Sequence, residues 1–176
     1  KYDAMRDQYM ADWVTWIKDH EEQYYGAGGV FVTGHNGHMV RVEDEGRNKK
    51  AVGTLLAERY GEDYFMSGTE FLEGDFLAKD TQIQSTVRAE FHVVARDEER
   101  LASVFGRTKW DEGYLSFDGI GEDSLLGQYL ATAQGMTTVG SVFTKEREED
   151  EQYYVIFRTP MKSYDALILL RHVNPS

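Results

Sequence analysis

One segment, from Val87 to Val93, alternates strictly between apolar and polar side chains, and this pattern restricts its fold more than any other pattern in the chain. On an extended backbone, four apolar side chains would point to one side: Val87, Ala89, Phe91 and Val93. The polar side chains between them would point to the other side: Arg88, Glu90 and His92. An alternation of period two predicts a half-buried strand, which is more typical of antiparallel pairing.

Helical and extended patterns alternate along the rest of the chain. Residues 3 to 22 and Ala51 to Tyr60 carry apolar side chains at helical spacing, and Gly61 would end the second helix. Shorter helices are predicted at Asp97 to Phe105, with Asp97 as the N-cap, and at Ser124 to Thr132. Further strands are predicted at Tyr64 to Phe76 with breaks at Gly68 and Gly74, Thr138 to Phe143, Tyr153 to Phe157 and Ala166 to Leu170. This order predicts an α/β protein with a mixed sheet and flanking helices, in which residues 1–176 form a single lobe.

A short apolar run from Val30 to Thr33 lies between glycines and is rich in β-branched and aromatic side chains. Such a run predicts a central strand that is buried on both faces. The turn Gly34-His35-Asn36-Gly37-His38 follows directly, at the end of a strand where α/β proteins often place groups that contact ligands. The charged segments 43 to 49 and Lys145 to Glu151 are predicted to be solvated connections.

Composition excludes several classes of protein and partner. Hydrophobic residues make up 41% of the 176 residues and aromatic residues 13%, which is enough for a packed core and argues against disorder. The net charge of -12 argues against a nucleic-acid partner and against an anionic membrane surface. Cysteine is absent, so no disulfide, thiolate nucleophile or zinc-thiolate site can form. No signal-peptide pattern occurs, and we expect a cytoplasmic protein. A helical pattern begins within the first residues, which suggests that further polypeptide precedes this chain.

His35 and His38 are the candidate catalytic residues. Histidine is the side chain best suited to acid–base catalysis near neutral pH, and two of them three residues apart can point into one cleft. Two alternatives remain: a pair of unrelated turn histidines, or a metal pair without an evident third ligand nearby. The dipeptide Asn36-Gly37 between them favours a tight turn with positive φ.

Arg6, Asn36 and two carboxylates are secondary candidates. Arg6 shares a helical face with apolar neighbours, so it either binds a substrate oxygen or forms a surface ion pair. Asn36 could donate a hydrogen bond to a developing oxyanion, or serve only as a turn residue. Glu70 and Glu73 could act as a carboxylate pair, although exposed strand ends explain them as well.

Several segments, taken in order, resemble motifs of the erythromycin esterase family. Residues 30–38 resemble its strand and "W-x-H-N-x-H" turn, and Arg6 to Ala11 is similar to its "R-D-x-x-M-A" helix. Gly53 to Tyr64 is similar to the family's "G-x-x-L-x-x-x-Y-G-x-D-Y" segment, and residues 68–76 to its "G-x-x-F-x-x-G-x-F" strand. Gly140 to Phe143 and Tyr164 to Ile168 match its closing strands. The chain departs from the family at Trp13, where the family usually has asparagine, and it lacks the family's "G-E-x-x-H-G" motif.

The resemblance implies the C-terminal half of a hydrolase in which water, activated by a histidine, attacks an ester or lactone. It implies that His35 and His38 lie at the floor of the cleft, and it supports a substrate-binding role for Arg6. The missing motif is thought to supply the principal histidine base and its carboxylate partner, so the N-terminal half of the same protein is the expected partner. We expect a small-molecule ester or lactone as substrate and no cofactor, although a divalent metal with ligands from the missing half is an alternative. The other alternative is a non-catalytic binding or structural lobe that retains the fold.

Overall fold

The structure is a computed structural model, and it describes residues 2–42, 50–82 and 88–175. The predicted loop at 43 to 49 and the first residue of the predicted strand at Val87 lie outside these residues. The chain separates into two compact units. The first contains Lys1–Gly68 and Lys162–Tyr164, and the second contains Thr69–Met161 and Asp165–Ser176. The single-lobe arrangement stays a prediction.

Three helices dominate the first unit: α1 (Tyr2–Tyr25), α2 (Asn36–Met39) and α3 (Val52–Tyr60). The two long helical predictions are confirmed, and Gly61 ends α3 with a φ of 55°, a conformation that favours glycine. Helix α1 packs against α3. The guanidinium of Arg59 bonds to the carboxylate of Asp12 and, at 2.8 Å, to the hydroxyl of Thr15, which fixes the register of the two helices.

The aromatic face of α1 is exposed, although its periodicity would place it in the core. The side that is buried carries small and polar residues, with Ala11 fully buried and Asp7 nearly so. The aromatic side is exposed; Trp13, for example, keeps 61% of its surface accessible. The helix was therefore predicted correctly, but its aromatic face does not form part of the core among the described residues.

The prediction of a buried central strand at Val30 to Thr33 is wrong. This segment is irregular, and Phe31 within it is 91% exposed. An apolar run becomes a doubly buried strand only where strands pair with both of its edges. In the described part of the chain, every paired strand begins at Ser67 or later.

A mixed five-stranded sheet forms the centre of the second unit, as predicted for an α/β protein. Its order is β2 (Arg88–Val94), β1 (Ser67–Asp80), β7 (Ala166–Val173) and β3 (Glu112–Ser116), with β5 (Val142–Phe143) beside the end of β1. The pairs β1–β2 and β3–β7 are antiparallel, whereas β1–β5 is parallel. A separate antiparallel pair is made by β4 (Gln134–Thr137) and β6 (Val155–Arg158).

The alternation that predicted β2 is confirmed by its burial. Phe91 and Val93 are buried while the polar residues between and beside them are exposed. Both pack into a cluster with Ala78, Phe143 and Tyr154. The rings of Phe91 and Phe143 meet edge to face with centroids 5.2 Å apart, an arrangement that the aromatic quadrupole favours.

Other predicted elements occur with shifted bounds. Strand β1 is not interrupted at Gly68 or Gly74; a side chain at Gly74 would lie 2.2 Å from a methyl of Val173, so the glycine permits close strand packing. Of the strand expected at Thr138 to Phe143, only the last two residues are extended, as β5, and β4 ends just before it begins.

The predicted helices of the second unit are shorter than expected. The helix predicted from Asp97 begins later, as α4 (Leu101–Gly106), and Asp97 instead accepts a bond from the backbone of Glu99 in the preceding turn. Helix α5 (Leu125–Leu130) has Ser124 as its N-cap. The acidic connection contains the short helix α6 (Lys145–Glu149), and α7 (Pro160–Ser163) precedes β7. Within the described residues, none of the helices combines the length and apolar character that crossing a bilayer requires.

Candidate functional site

The segment that carries both candidate histidines folds as one turn of helix, α2. A tight turn with positive φ was predicted at Asn36-Gly37, and this prediction is wrong. Among the described residues, positive φ occurs only at Gly26, Gly61 and Gly119. Instead His35 is the N-cap of α2, and its ring nitrogen Nδ1 accepts a hydrogen bond from the backbone N–H of Gly37 at 3.0 Å. The imidazole thereby takes the place that a serine or aspartate oxygen usually has at a helix start.

His38 lies between an anion and a cation from α1. Its Nδ1 is 3.1 Å from Oδ1 and 3.2 Å from Oδ2 of Asp7, and its Nε2 is 3.1 Å from Nη2 of Arg6. The Asp7 carboxylate is largely buried, with 12% of its side chain exposed, whereas 54% of the Arg6 side chain is exposed. The carboxylate therefore holds the imidazole from the inside while the guanidinium covers it from the solvent side.

These partners define which nitrogen of His38 carries the proton. A guanidinium can only donate, so Nε2 of His38 must accept the bond from Arg6. A carboxylate can only accept, so Nδ1 must donate to Asp7. These two contacts place a proton on Nδ1 of His38 and a lone pair on its Nε2.

His35 has the opposite arrangement. Because its Nδ1 accepts the bond from Gly37, the proton of the neutral ring is on Nε2. The two ring centroids are 6.4 Å apart and the planes are inclined by 70°. The site therefore combines two imidazoles of opposite tautomer: the ring of His35 has its N–H at Nε2, whereas Nε2 of His38 accepts the bond from Arg6.

A close contact between α2 and α3 holds the histidine-bearing turn in place. A side-chain carbon at Gly53 would lie 1.8 Å from the backbone oxygen of Met39, so only glycine allows this approach. The hydroxyl of Tyr64 donates to the same oxygen of Met39 at 2.8 Å, and Thr54 donates to the carbonyl of Val40 at 3.3 Å. The end of α2 is thus fixed by contacts to groups outside it.

The structure brings together three of the four site residues predicted from the sequence. Arg6 contacts His38, and His38 lies near His35. Asn36 begins α2, and its backbone carbonyl accepts a bond from Val40. The catalytic and substrate-binding roles of all four stay predictions. Asp7 was missed, and the available signal was its place directly after Arg6 in the "R-D-x-x-M-A" motif.

Glu70 is the centre of a buried network in the second unit, so its interpretation as an exposed strand end is wrong. It is 1% exposed and accepts bonds from Arg100 at 3.1 Å, from the hydroxyl of Thr137 at 2.9 Å and from the backbone N–H of Thr137 at 2.9 Å. Arg100 also binds Glu151 at 3.2 Å and the carbonyl of Gly135 at 3.1 Å. Burial raises the pKa of Glu70 to about 7, although Arg100 and Thr137 oppose this rise.

Glu73 does not pair with Glu70, because residues three apart on a strand point to opposite faces. Its carboxylate lies 3.5 Å from His172, on the exposed part of the sheet where His92 and His172 both contact Asp75. Within residues 2–42, 50–82 and 88–175, no three histidine, aspartate or glutamate side chains are grouped so that they could hold a metal ion.

Comparison with known proteins supports the resemblance. The chain matches the sequence model of the family described as erythromycin esterase over residues 1–173. A crystal structure of a Bacillus cereus protein matches it with a TM-score of 0.76 and 22% identity, covering 97% of this chain and 38% of that chain. The crystal structure of a protein named as a succinoglycan biosynthesis protein matches with a TM-score of 0.76 and 16% identity, over the same shares of each chain.

At these identities the two structures establish the fold, and this chain spans 38% of the length of each of them. No curated protein sequence matches the chain. The family match takes in nearly the whole sequence and includes both histidines of α2 and the Arg6-Asp7 pair of α1. This chain therefore belongs to the erythromycin esterase family.

Proposed function

We propose that this chain is part of a hydrolase that cleaves an ester or lactone by the attack of water activated by a histidine. Membership of the erythromycin esterase family supports a hydrolase-like protein. The observation that carries the finer proposal is the pair of neighbouring imidazoles, of which one contacts both Arg6 and Asp7. A hydrogen-bond donor and a positive charge close to the same carbonyl group favour ester hydrolysis, and His35 and Arg6 can supply them.

Arg6 acts on the carbonyl oxygen of the substrate. The Arg6 side chain is more than half exposed, and its guanidinium is held by Nε2 of His38. It can therefore bind a substrate oxygen on its solvent side while its orientation stays fixed. As water attacks the carbonyl carbon, the oxygen gains negative charge, and a fixed cation near it stabilises the tetrahedral intermediate. His38, held in turn by Asp7, orients the arginine for this role.

His35 acts on the oxygen of the leaving group. When the tetrahedral intermediate collapses, the bond from carbon to this oxygen breaks, and the N–H at Nε2 of His35 donates a hydrogen bond to the alkoxide as it forms. The alkoxide finally takes up the proton that the attacking water has released. The proton lost by the attacking water passes to a histidine base, which the family resemblance assigns to the "G-E-x-x-H-G" segment, outside this chain. The complete site therefore needs the N-terminal half of the family fold as partner.

The proposal is tested on the complete product of the gene that encodes this chain, with activated esters and lactones as substrates. Replacing His35 or His38 by alanine is expected to lower turnover roughly a hundredfold or more, the usual scale for losing a group that stabilises charge in the transition state. His92→Ala is the matched control, because that histidine lies on the exposed sheet of the other unit and pairs with Asp75. Full activity in the double variant His35→Ala/His38→Ala would contradict the proposal.

Two further outcomes separate the alternatives. The 176-residue chain alone is expected to show little or no esterase activity, because the principal base is outside it. A complete protein that binds esters without hydrolysing them would favour the non-catalytic lobe. A metal-assisted reaction would need ligands from the N-terminal half, and loss of activity with EDTA, restored by one divalent metal, would favour it.

A further inference from the structure

One face of α1 is lined mainly by aromatic side chains, and most of them are exposed among the described residues. We call it the outer face of α1, and it consists of Met5, Tyr9, Trp13, Trp16, His20 and Tyr24. These residues recur every three or four positions and so form one stripe along the helix. Tyr9, Trp13 and Trp16 are each more than half exposed.

The outer face lies opposite the side of α1 that packs against α3. Ala11 and Asp7 mark the packed side, and at 100° per residue their positions are on the reverse of the helix from Trp13 and Trp16. The aromatic rings already pack against one another: Trp13 and Trp16 meet edge to face at 5.3 Å, and Trp16 contacts His20 at 5.2 Å. The stripe is therefore an ordered surface and not a set of isolated side chains.

The extent of the outer face indicates a protein as its occupant. From Met5 to Tyr24 it runs for about 28 Å at the rise of an α-helix, which exceeds the length of a small ester. Folded proteins seldom leave a continuous apolar patch of this kind in water, and a helix with apolar residues on one side normally buries that side. Arg6 lies at the N-terminal end of the same side, so the occupant would extend to the site at His38.

The comparison with solved structures indicates which polypeptide covers the outer face of α1. This chain covers 38% of each of the two matching chains, so more than half of the fold has no counterpart here. We infer that the outer face of α1 is the surface on which this remaining part of the erythromycin-esterase fold packs. The inference rests on the proposed function only in assuming that the remaining part belongs to the same protein as this chain. The proposed reaction does not say which surface of this chain contacts that part.

Cysteine labelling tests the interface without measuring activity. The chain has no cysteine, so a single introduced thiol can be followed with a maleimide. Trp16→Cys and Tyr9→Cys report on the outer face, and Glu98→Cys is the control, because that side chain is 89% exposed and charged. Each variant is made in the 176-residue chain and in the complete gene product, with any cysteines of the remaining part replaced by serine.

In the 176-residue chain, all three thiols are expected to react at similar rates. In the complete product, the thiols at positions 9 and 16 should react on the order of tenfold more slowly, as groups that are exposed only by local opening do, while position 98 is unchanged. Equal rates in both proteins would overturn the inference. So would a gene product with no further erythromycin-esterase segment, or protection that rises with the concentration of the 176-residue chain, which would identify a second copy as the occupant.

This test and the test of the proposed function can fail separately. Protection of positions 9 and 16 in a protein that hydrolyses no ester would support the interface and contradict the proposed reaction. Hydrolysis that depends on His35 and His38, without protection of positions 9 and 16, would support the reaction and contradict the interface.

Discussion

The carboxylate of Asp7 lies 3.1 Å from Nδ1 of His38 and fixes the tautomer of that imidazole. The two residues are on different helices and are 31 positions apart in the chain. Because Asp7 accepts the proton of Nδ1, the lone pair of Nε2 remains for Arg6. In the proposed hydrolase, Asp7 is therefore a positioning residue that acts through His38 on the arginine.

Replacing Asp7 by asparagine should change the tautomer of His38 without unfolding the protein. An amide can present its NH₂ group to Nδ1, which would move the imidazole proton to Nε2 and break the bond to Arg6. We expect turnover of the complete protein to fall about tenfold to a hundredfold, since Arg6 loses its orientation while the binding groups remain. The ¹⁵N shifts of the His38 ring report the tautomer directly, and a merely structural role would not change them.

Asp19→Asn is the control for this experiment, because Asp19 is exposed on the same helix. It should leave both the ring shifts and turnover unchanged. An Asp7→Asn variant with the ring proton still on Nδ1 and full activity would show that Asp7 does not position the site.

Replacing Gly53 by alanine should destabilise the protein because the new methyl group would overlap the backbone oxygen of Met39. We expect the free energy of unfolding in urea to fall by about 1–3 kcal/mol, the usual range for overpacking. The matched control is Gly28→Ala, since a side-chain carbon there meets nothing within 4 Å. A change of less than about 0.5 kcal/mol for Gly53→Ala, the size of ordinary surface effects, would show that α2 and α3 separate easily.

Replacing Arg100 by methionine should leave the Glu70 carboxylate buried without its cation. Loss of one partner from a buried ion pair typically costs about 3–5 kcal/mol, and we expect urea denaturation near pH 8 to show a loss of about this size. The loss should be smaller at about pH 5, because a protonated Glu70 is neutral and needs no cation. Arg107→Met is the control: its bond to Glu98 is exposed, so its effect should stay below about 1 kcal/mol at either pH. A pH-independent loss for Arg100→Met would contradict the assignment to Glu70.

Glu70→Gln should change how stability depends on pH. Burial raises the pKa of Glu70 from 4.5 to about 7, so the folded protein retains a proton that the unfolded chain releases. The stability from this group is complete below pH 4.5 and is lost as the pH rises through about 7. Relative to Glu70→Gln, the wild-type protein should therefore become less stable across this interval. Parallel curves of unfolding free energy against pH for the two proteins would show that the pKa of Glu70 does not differ between the folded and unfolded states.

Local patterns predicted the elements and part of the site. The alternation around Phe91 identified β2, and the spacing of His35 and His38 correctly predicted that the two rings lie near each other. The burial of Glu70 could not be predicted in this way, because its partner Thr137 is 67 residues away in the sequence. The error at Val30 to Thr33 has a similar cause, since an apolar run does not reveal whether neighbouring strands exist to cover it.

Periodicity also identified the two sides of α1 but not what each side contacts. The aromatic spacing correctly predicted a helix, and it would ordinarily imply a core-facing surface. The same spacing gave no sign that Asp7, on the opposite side, would reach His38. The sequence of a helix defines its faces, whereas its neighbours depend on the rest of the fold.

The N-cap at α2 restricts how His35 can exchange protons. Its Nδ1 is engaged by the backbone N–H of Gly37, and a ring nitrogen that accepts such a bond cannot also bind a proton. Protonation at Nδ1 would therefore require the first turn of α2 to open. As long as that turn stays closed, the ring can donate a hydrogen bond only through Nε2, so the backbone of a four-residue helix decides which edge of the imidazole meets a hydrogen-bond acceptor.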